Sequence, residues 1–98
     1  LPPIKALLAL DAWVVALIKP QFEAGAHLVG KGGVVRNPQV RANTIEAVLA
    51  SAKEIGWGCA GLVRSPIIGP AGNVEFLAWL HANENVPFGT LIKSVDLA

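Results

Sequence analysis

WVVALIKPQFEAG, residues 13–25, is the most informative stretch of the chain, because an apolar run ends there abruptly at Lys19-Pro20. Its aliphatic and β-branched residues predict a buried strand over residues 14–18. A lysine at the end of such a strand is costly to desolvate, so it either reaches back to solvent or takes part in chemistry. Lys19 is therefore the first candidate for a functional residue.

The composition indicates a soluble core built on a sheet that is covered by helices. Of the 98 residues, 53% are hydrophobic, yet no apolar run reaches the ~18 residues of a membrane-spanning helix. Parallel sheets with helices on both faces have this character. The single Cys59 cannot form an internal disulfide and no signal peptide is visible, so we expect a cytoplasmic protein. The chain opens on Leu-Pro-Pro and contains no methionine, which suggests that Leu1 lay inside a longer polypeptide.

The most distinct helix signal lies between Asn37 and Gly56. Asn37 followed by Pro38 is a typical N-cap and first helical position. The apolar residues that follow recur at helical spacing, and Gly56 is a typical helix end. The predicted apolar face consists of Val40, Ile45, Val48, Leu49, Ala52 and Ile55.

The remaining elements follow from local composition. We predict a helix over 2–10, a glycine-rich hairpin or loop over 24–36, strands over 57–64 and 74–81 with a loop between them, and a C-terminal tail over 83–98 in which a helix begins at 92. Residues 1–98 then form the C-terminal half of one doubly wound, Rossmann-like α/β domain, with a mainly parallel sheet and a final antiparallel hairpin. Ligands of such sheets sit outside the carboxyl ends of the parallel strands, where Lys19 falls.

Two glycine motifs do not meet the structural context that their chemistry needs. Residues 25–31 begin like a phosphate-binding P-loop, but Gly32 replaces the serine or threonine that would hold magnesium. Residues 56–61 fit G-x-G-x-x-G, yet they follow a helix and enter a strand, the reverse of a dinucleotide site. His27 and His81 have no ligand set at metal spacing. The sequence predicts no cofactor-binding and no metal-binding residue.

Three ordered runs resemble a known family: VALIKPQFEAG, VGKGGVVRNPQV and SPIIGPAGNVEFLAWL. From Leu1 to about His81 the chain is similar to the C-terminal part of the TlyA family, bacterial proteins labelled hemolysin A and related to the FtsJ-type ribosomal RNA 2′-O-methyltransferases. The resemblance implies the S-adenosylmethionine-dependent methyltransferase fold, whose last two strands form an antiparallel hairpin. For the parent protein it implies S-adenosylmethionine as cofactor, ribosomal RNA as partner, and an amino-terminal RNA-binding module. The first half of the methyltransferase domain would also lie upstream, so the isolated chain should bind no cofactor and be inactive.

The resemblance also implies catalytic residues. FtsJ-type enzymes use a Lys-Asp-Lys-Glu tetrad, in which Lys19 matches the second lysine and Glu75 the glutamate. The first lysine and the aspartate would precede Leu1. A desolvated lysine near carboxylates can orient a ribose hydroxyl and accept its proton.

A local excess of basic residues gives the candidates for RNA binding. The net charge is only +1, but four basic residues stand against Glu23 alone between Lys19 and Arg41. Three of them are candidates for contact with RNA phosphates. A loop that is simply exposed to solvent would account for these basic residues equally well. They are Lys31, Arg36 and Arg41. Two alternatives to an enzyme remain, a non-catalytic RNA- or ribosome-binding module and a membrane-lytic hemolysin.

Overall fold

The computed structural model describes residues 13–23, 33–69, 72–82 and 86–98. Its elements are strand β1 (Trp13–Ile18), helix α1 (Pro20–Glu23), helix α2 (Pro38–Glu54), strand β2 (Gly58–Arg64), strand β3 (Phe76–His81) and helix α3 (Phe88–Lys93). The predicted helix over 2–10 and most of the predicted glycine-rich segment lie outside the described residues. The three predicted strands and the long helix are confirmed.

The described strands form one sheet in the order β1-β3-β2. The β1–β3 ladder runs antiparallel from Trp13 opposite His81 to Ile18 opposite Phe76. Strand β2 is also antiparallel to β3, with an irregularity between Cys59 and Gly61. The predicted final hairpin is confirmed. The prediction of a mainly parallel sheet does not hold among these strands, because β3 inserts between β1 and β2, which point the same way without sharing hydrogen bonds.

Helix α2 begins and ends where the sequence predicts. The side-chain oxygen of Asn37 accepts a hydrogen bond from the Gln39 backbone N–H at 2.8 Å, which satisfies one of the free donors of the first turn. At the other end Gly56 has φ of +96°, a conformation that glycine adopts without strain. Ile55 was predicted on the buried face but is 51% exposed, because it already lies beyond the last helical turn.

The core lies between α2, α3 and one face of the sheet. Helix α2 contacts β1 and β2, and α3 contacts α2 and β2. Successive side chains of each strand point to opposite faces of the sheet. The buried hydrophobic residues of this core are Ile18, Ile45, Leu49, Trp57, Cys59, Leu62, Val74, Phe76, Ala78, Leu80 and Leu91.

The opposite face of the sheet is apolar and exposed within the described part of the chain. By register, Val15 lies opposite Trp79 and Leu17 opposite Leu77. Exposed on this face are Trp13, Val15, Leu17, Val63 and Trp79. A soluble domain rarely leaves an apolar surface of this kind uncovered.

The C-terminal segment is packed, in contrast to the predicted tail. Its helix spans Phe88–Lys93 and ends at Ser94, so the prediction of a helix that begins at residue 92 was wrong. Local features explain where the helix begins and ends. Pro87 fits the start of a helix, and at the other end the Ser94 hydroxyl donates a hydrogen bond to the Leu91 carbonyl. Val95 and Leu97 pack against the core without helical structure.

Candidate active site

Strand pairing brings the two predicted catalytic residues to one end of the sheet. Ile18 and Phe76 are the last register pair between β1 and β3. Lys19 follows Ile18 directly, and Glu75 directly precedes Phe76. Lys19 and Glu75, each one residue beyond this last pair, therefore lie at the same end of the sheet although they are distant in sequence; no ion pair joins the side chains of these two described residues.

Glu75 is held in an enclosed position. It is 7% exposed, and its Oε2 accepts a hydrogen bond from Nε2 of Gln21 at 2.7 Å. Its backbone carbonyl accepts from the Ser65 N–H at 2.8 Å. A Cβ atom added to Gly69 would lie 2.5 Å from Oε2 of Glu75. The carboxylate is therefore confined by α1 on one side and by the β2–β3 loop on another.

Lys19 is less confined than Glu75. It is half-buried, and its Nζ lies 5.7 Å from the ring centroid of Phe22. Phe22 is 72% exposed, so the ammonium is held over an aromatic face that borders solvent. The attraction between a cation and a ring is about 0.5–1 kcal/mol at such exposed sites. Lys19 can leave this contact at small cost.

A buried asparagine ties the loop before α2 to the loop before β3. Asn73 is 1% exposed. Its Oδ1 accepts from the Val35 N–H at 3.0 Å, and its Nδ2 donates to the Gly33 carbonyl at 2.8 Å. Since Asn73 is two residues before Glu75, this clamp fixes the approach to the site.

Arg41, predicted to contact RNA, is bonded to the protein itself. It is 6% exposed, and its Nε and Nη2 donate to the Val35 carbonyl at 3.2 and 2.9 Å. Its Nη1 donates to the Leu97 carbonyl at 2.7 Å. Burial lowers the pKa of Arg41, as does nearby Arg64, whereas Asp96 raises it. This geometry favours a structural role for Arg41 over contact with phosphate.

The other two residues predicted to bind RNA are Lys31 and Arg36. Arg36 is exposed on the segment that leads into α2, and Lys31 lies outside the described residues. Within the ranges that the structure describes, no group of three potential metal ligands occurs. None of the described helices is both long enough and apolar enough to cross a membrane.

Sequence reasoning missed three residues that build the site, Gln21, Gly69 and Asn73. All three fall inside the runs that carry the resemblance. Their roles depend on contacts between segments that are distant in sequence, and no local pattern marks such contacts.

The model of the family of FtsJ-like methyltransferases matches residues 2–82. The chain belongs to the FtsJ-like methyltransferase family. The 16S/23S rRNA (cytidine-2′-O)-methyltransferase TlyA of Mycobacterium tuberculosis is 49% identical over 81 residues, which are 83% of this chain and 30% of that protein. Hemolysin A of Brachyspira hyodysenteriae is 39% identical over 74 residues, 76% of this chain and 30% of that protein. The predicted resemblance to the TlyA family is confirmed.

A solved structure supports the same family fold. The crystal structure of a candidate hemolysin from Lactococcus lactis superposes with a TM-score of 0.74 and 43% identity, over 86% of this chain and 43% of that one. This FtsJ-like chain thus spans about a third of the length of the curated relatives that it matches.

Proposed function

We propose that this chain is the C-terminal part of an S-adenosylmethionine-dependent ribosomal RNA 2′-O-methyltransferase, in which Lys19 and Glu75 act at the reacting hydroxyl. One observation carries the proposal: the pairing of β1 with β3 puts an ammonium and an enclosed carboxylate at one end of the sheet. Family membership supports it, and the relative TlyA is named for methyl transfer to a cytidine 2′-oxygen in rRNA.

The chemistry needs both residue types. A ribose 2′-hydroxyl is a weak nucleophile that must be aligned with the methyl donor while it loses its proton. Lys19 has a flexible side chain that can leave Phe22 and hydrogen-bond this hydroxyl, and in its neutral form it can accept the proton. Glu75, bonded to Gln21, would be the carboxylate that positions Lys19 or its neighbours once the lysine turns to the hydroxyl. S-adenosylmethionine supplies the electrophilic methyl group, and we assign none of its contacts to the described residues.

The parent protein supplies the remaining parts. The first lysine and the aspartate of the tetrad, the first half of the methyltransferase domain and an RNA-binding module would lie upstream. The exposed apolar sheet face supports this division, because further chain of the same domain would cover it. A cytoplasmic location fits a protein that acts on ribosomal RNA. Lys31 and Arg36 stay candidates for phosphate contact, whereas the burial and backbone bonds of Arg41 favour a structural role.

The test is methyl transfer from radiolabelled S-adenosylmethionine to ribosomal RNA by the full-length protein. Lys19→Ala should lower the rate by at least about 10²-fold, as expected for a positioned acid-base group, while the cofactor dissociation constant stays near normal. Glu75→Gln should also be impaired, and the double variant should lose less than the product of the single losses. Lys93→Ala, which removes an exposed lysine of α3, is the matched control.

Full activity of Lys19→Ala, or a loss that simply follows a lower melting temperature, would leave Lys19 as a strand-end lysine. Absence of methyl transfer by the unchanged full-length protein, with RNA binding present, would favour the non-catalytic RNA-binding module. Lysis of erythrocytes by purified protein that lacks methyl transfer would favour the hemolysin.

A further inference from the structure

The Glu75 carboxylate is held by two groups whose roles go beyond the tetrad. One is the Gln21 side chain, which donates from Nε2 to Oε2 of Glu75 at 2.7 Å. The other is the Cα of Gly69, since an added Cβ would lie 2.5 Å from Oε2 and 2.6 Å from the carboxyl carbon. Gln21 and Glu75 are 54 residues apart in the sequence. Their contact therefore exists only in the folded protein.

The hydrogen bond fixes the orientation of Gln21. The donor of this bond is the NH₂ group of Gln21 and the acceptor is Oε2 of Glu75, at 2.7 Å. Oε1 of Gln21 is buried and has no hydrogen-bond partner among the described residues. Within these residues, Oε1 of Gln21 thus lacks a hydrogen bond while Nε2 donates to Glu75.

Gly69 determines how far the carboxylate can move. Real Cβ atoms do not approach other atoms as closely as 2.5 Å, so a side chain at position 69 would force Glu75 to shift. The Gly69 N–H also donates to the Asn73 carbonyl at 2.8 Å, which holds the loop against the strand. The glycine therefore leaves room that the carboxylate of Glu75 occupies.

We propose that Gln21 and Gly69 are positioning residues that place the Glu75 carboxylate for methyl transfer. The inference rests on the proposed catalytic role of Glu75 and extends it to residues that do not touch the substrate. Gln21 acts by donating its hydrogen bond, and Gly69 acts by having no side chain. A displacement of about 1 Å at a reacting group can cost roughly 10²-fold in rate.

The test uses methyl transfer by the full-length protein. Gln21→Leu removes the donor at similar volume, and Gly69→Ala moves the carboxylate while every functional group remains. Each should lower kcat by about 10-fold or more, with the cofactor dissociation constant and the RNA KM near normal. The matched controls are Gln39→Leu, which removes an exposed side-chain bond to Asn43 on α2, and Gly89→Ala, where an added Cβ has nothing within 4 Å. Both controls should keep full activity.

A pH profile tests whether the side chain at position 21 acts on the Glu75 carboxylate. Gln21→Glu sets a second carboxylate beside Glu75, so one of the pair keeps its proton to higher pH. The acidic limb of kcat should therefore move to higher pH. The other titratable and charged groups on α1, β2 and β3 and next to them are Lys19, Glu23, Cys59, Arg64 and His81, which are the same in every variant. An acidic limb that stays at its original pH would contradict the contact between position 21 and Glu75 in the active protein.

The outcomes distinguish this inference from the proposed function. If Glu75→Gln is fully active, the catalytic role of Glu75 itself fails. If Glu75→Gln is impaired while Gln21→Leu and Gly69→Ala both turn over normally, only the positioning role is overturned. Should Gly69→Ala fail to fold, Gln21→Leu and the pH profile of Gln21→Glu decide.

Discussion

Replacement of Arg41 by alanine distinguishes a structural arginine from an RNA contact. The guanidinium donates to two backbone carbonyls, those of Val35 and Leu97, and is 6% exposed. These bonds join the segment before α2 to the C-terminal segment. Alanine removes the donors and leaves both carbonyls without this partner.

The magnitude follows from the bonds that are lost. Hydrogen bonds from charged donors contribute about 1.5–3 kcal/mol each, and a buried acceptor left unpaired costs about 1–3 kcal/mol. The bonds to Val35 are buried and the bond to Leu97 is part-buried. Because water can replace part of the lost bonding at the Leu97 carbonyl, we expect the free energy of unfolding to fall by roughly 2–4 kcal/mol in all. In a protein of ordinary enzyme size this lowers Tm by about 5–15 °C.

The assay is urea unfolding of the full-length protein, together with RNA binding measured at several salt concentrations where the variant is folded. Arg41→Ala should lose stability and keep both its RNA affinity and the salt slope of that affinity. Lys93→Ala removes an exposed positive charge and should change the free energy of unfolding by at most about 0.5 kcal/mol. Unchanged stability of Arg41→Ala with weaker, less salt-dependent RNA binding would refute the structural role.

Three further predictions concern residues around the site. Asn73→Ala should cost about 1–3 kcal/mol in urea unfolding, because it removes the bonds to Val35 and Gly33; a cost below the error of the measurement would contradict the clamp. Burial raises the pKa of the Cys59 thiol, so the unfolded thiol ionises first and stability should fall as pH rises above roughly 8.5; Cys59→Ala should remove that part of the pH dependence, and an identical slope in both proteins would contradict it. Phe76→Ala should cost about 3–5 kcal/mol, since Phe76 is 0% exposed in the core; a change under 1 kcal/mol by the same unfolding measurement would show that this part of the sheet is loosely packed.

Local sequence was sufficient wherever the physical signal is local. Asn37-Pro38 and Gly56 bound α2 because capping and positive φ depend on a few adjacent residues. The strands observed at 13–18 and 76–81 were predicted over 14–18 and 74–81, the first from its aliphatic and β-branched residues and the second from its alternating pattern. The resemblance added Lys19 and Glu75, which no local pattern would have paired.

The strand order β1-β3-β2 and the hydrogen-bond partners of the polar residues depend on contacts between segments that are distant in sequence. A β-strand forms hydrogen bonds at both edges, so its sequence does not show which neighbours will take them. Arg41 looked like a surface cation in a basic stretch, but the C-terminal segment folds over it and supplies its acceptor. Gln21 and Gly69 reach the Glu75 carboxylate only through strand pairing and loop closure. Local sequence indicated the three strands and α2, whereas contacts between distant segments determined which side chains surround the site.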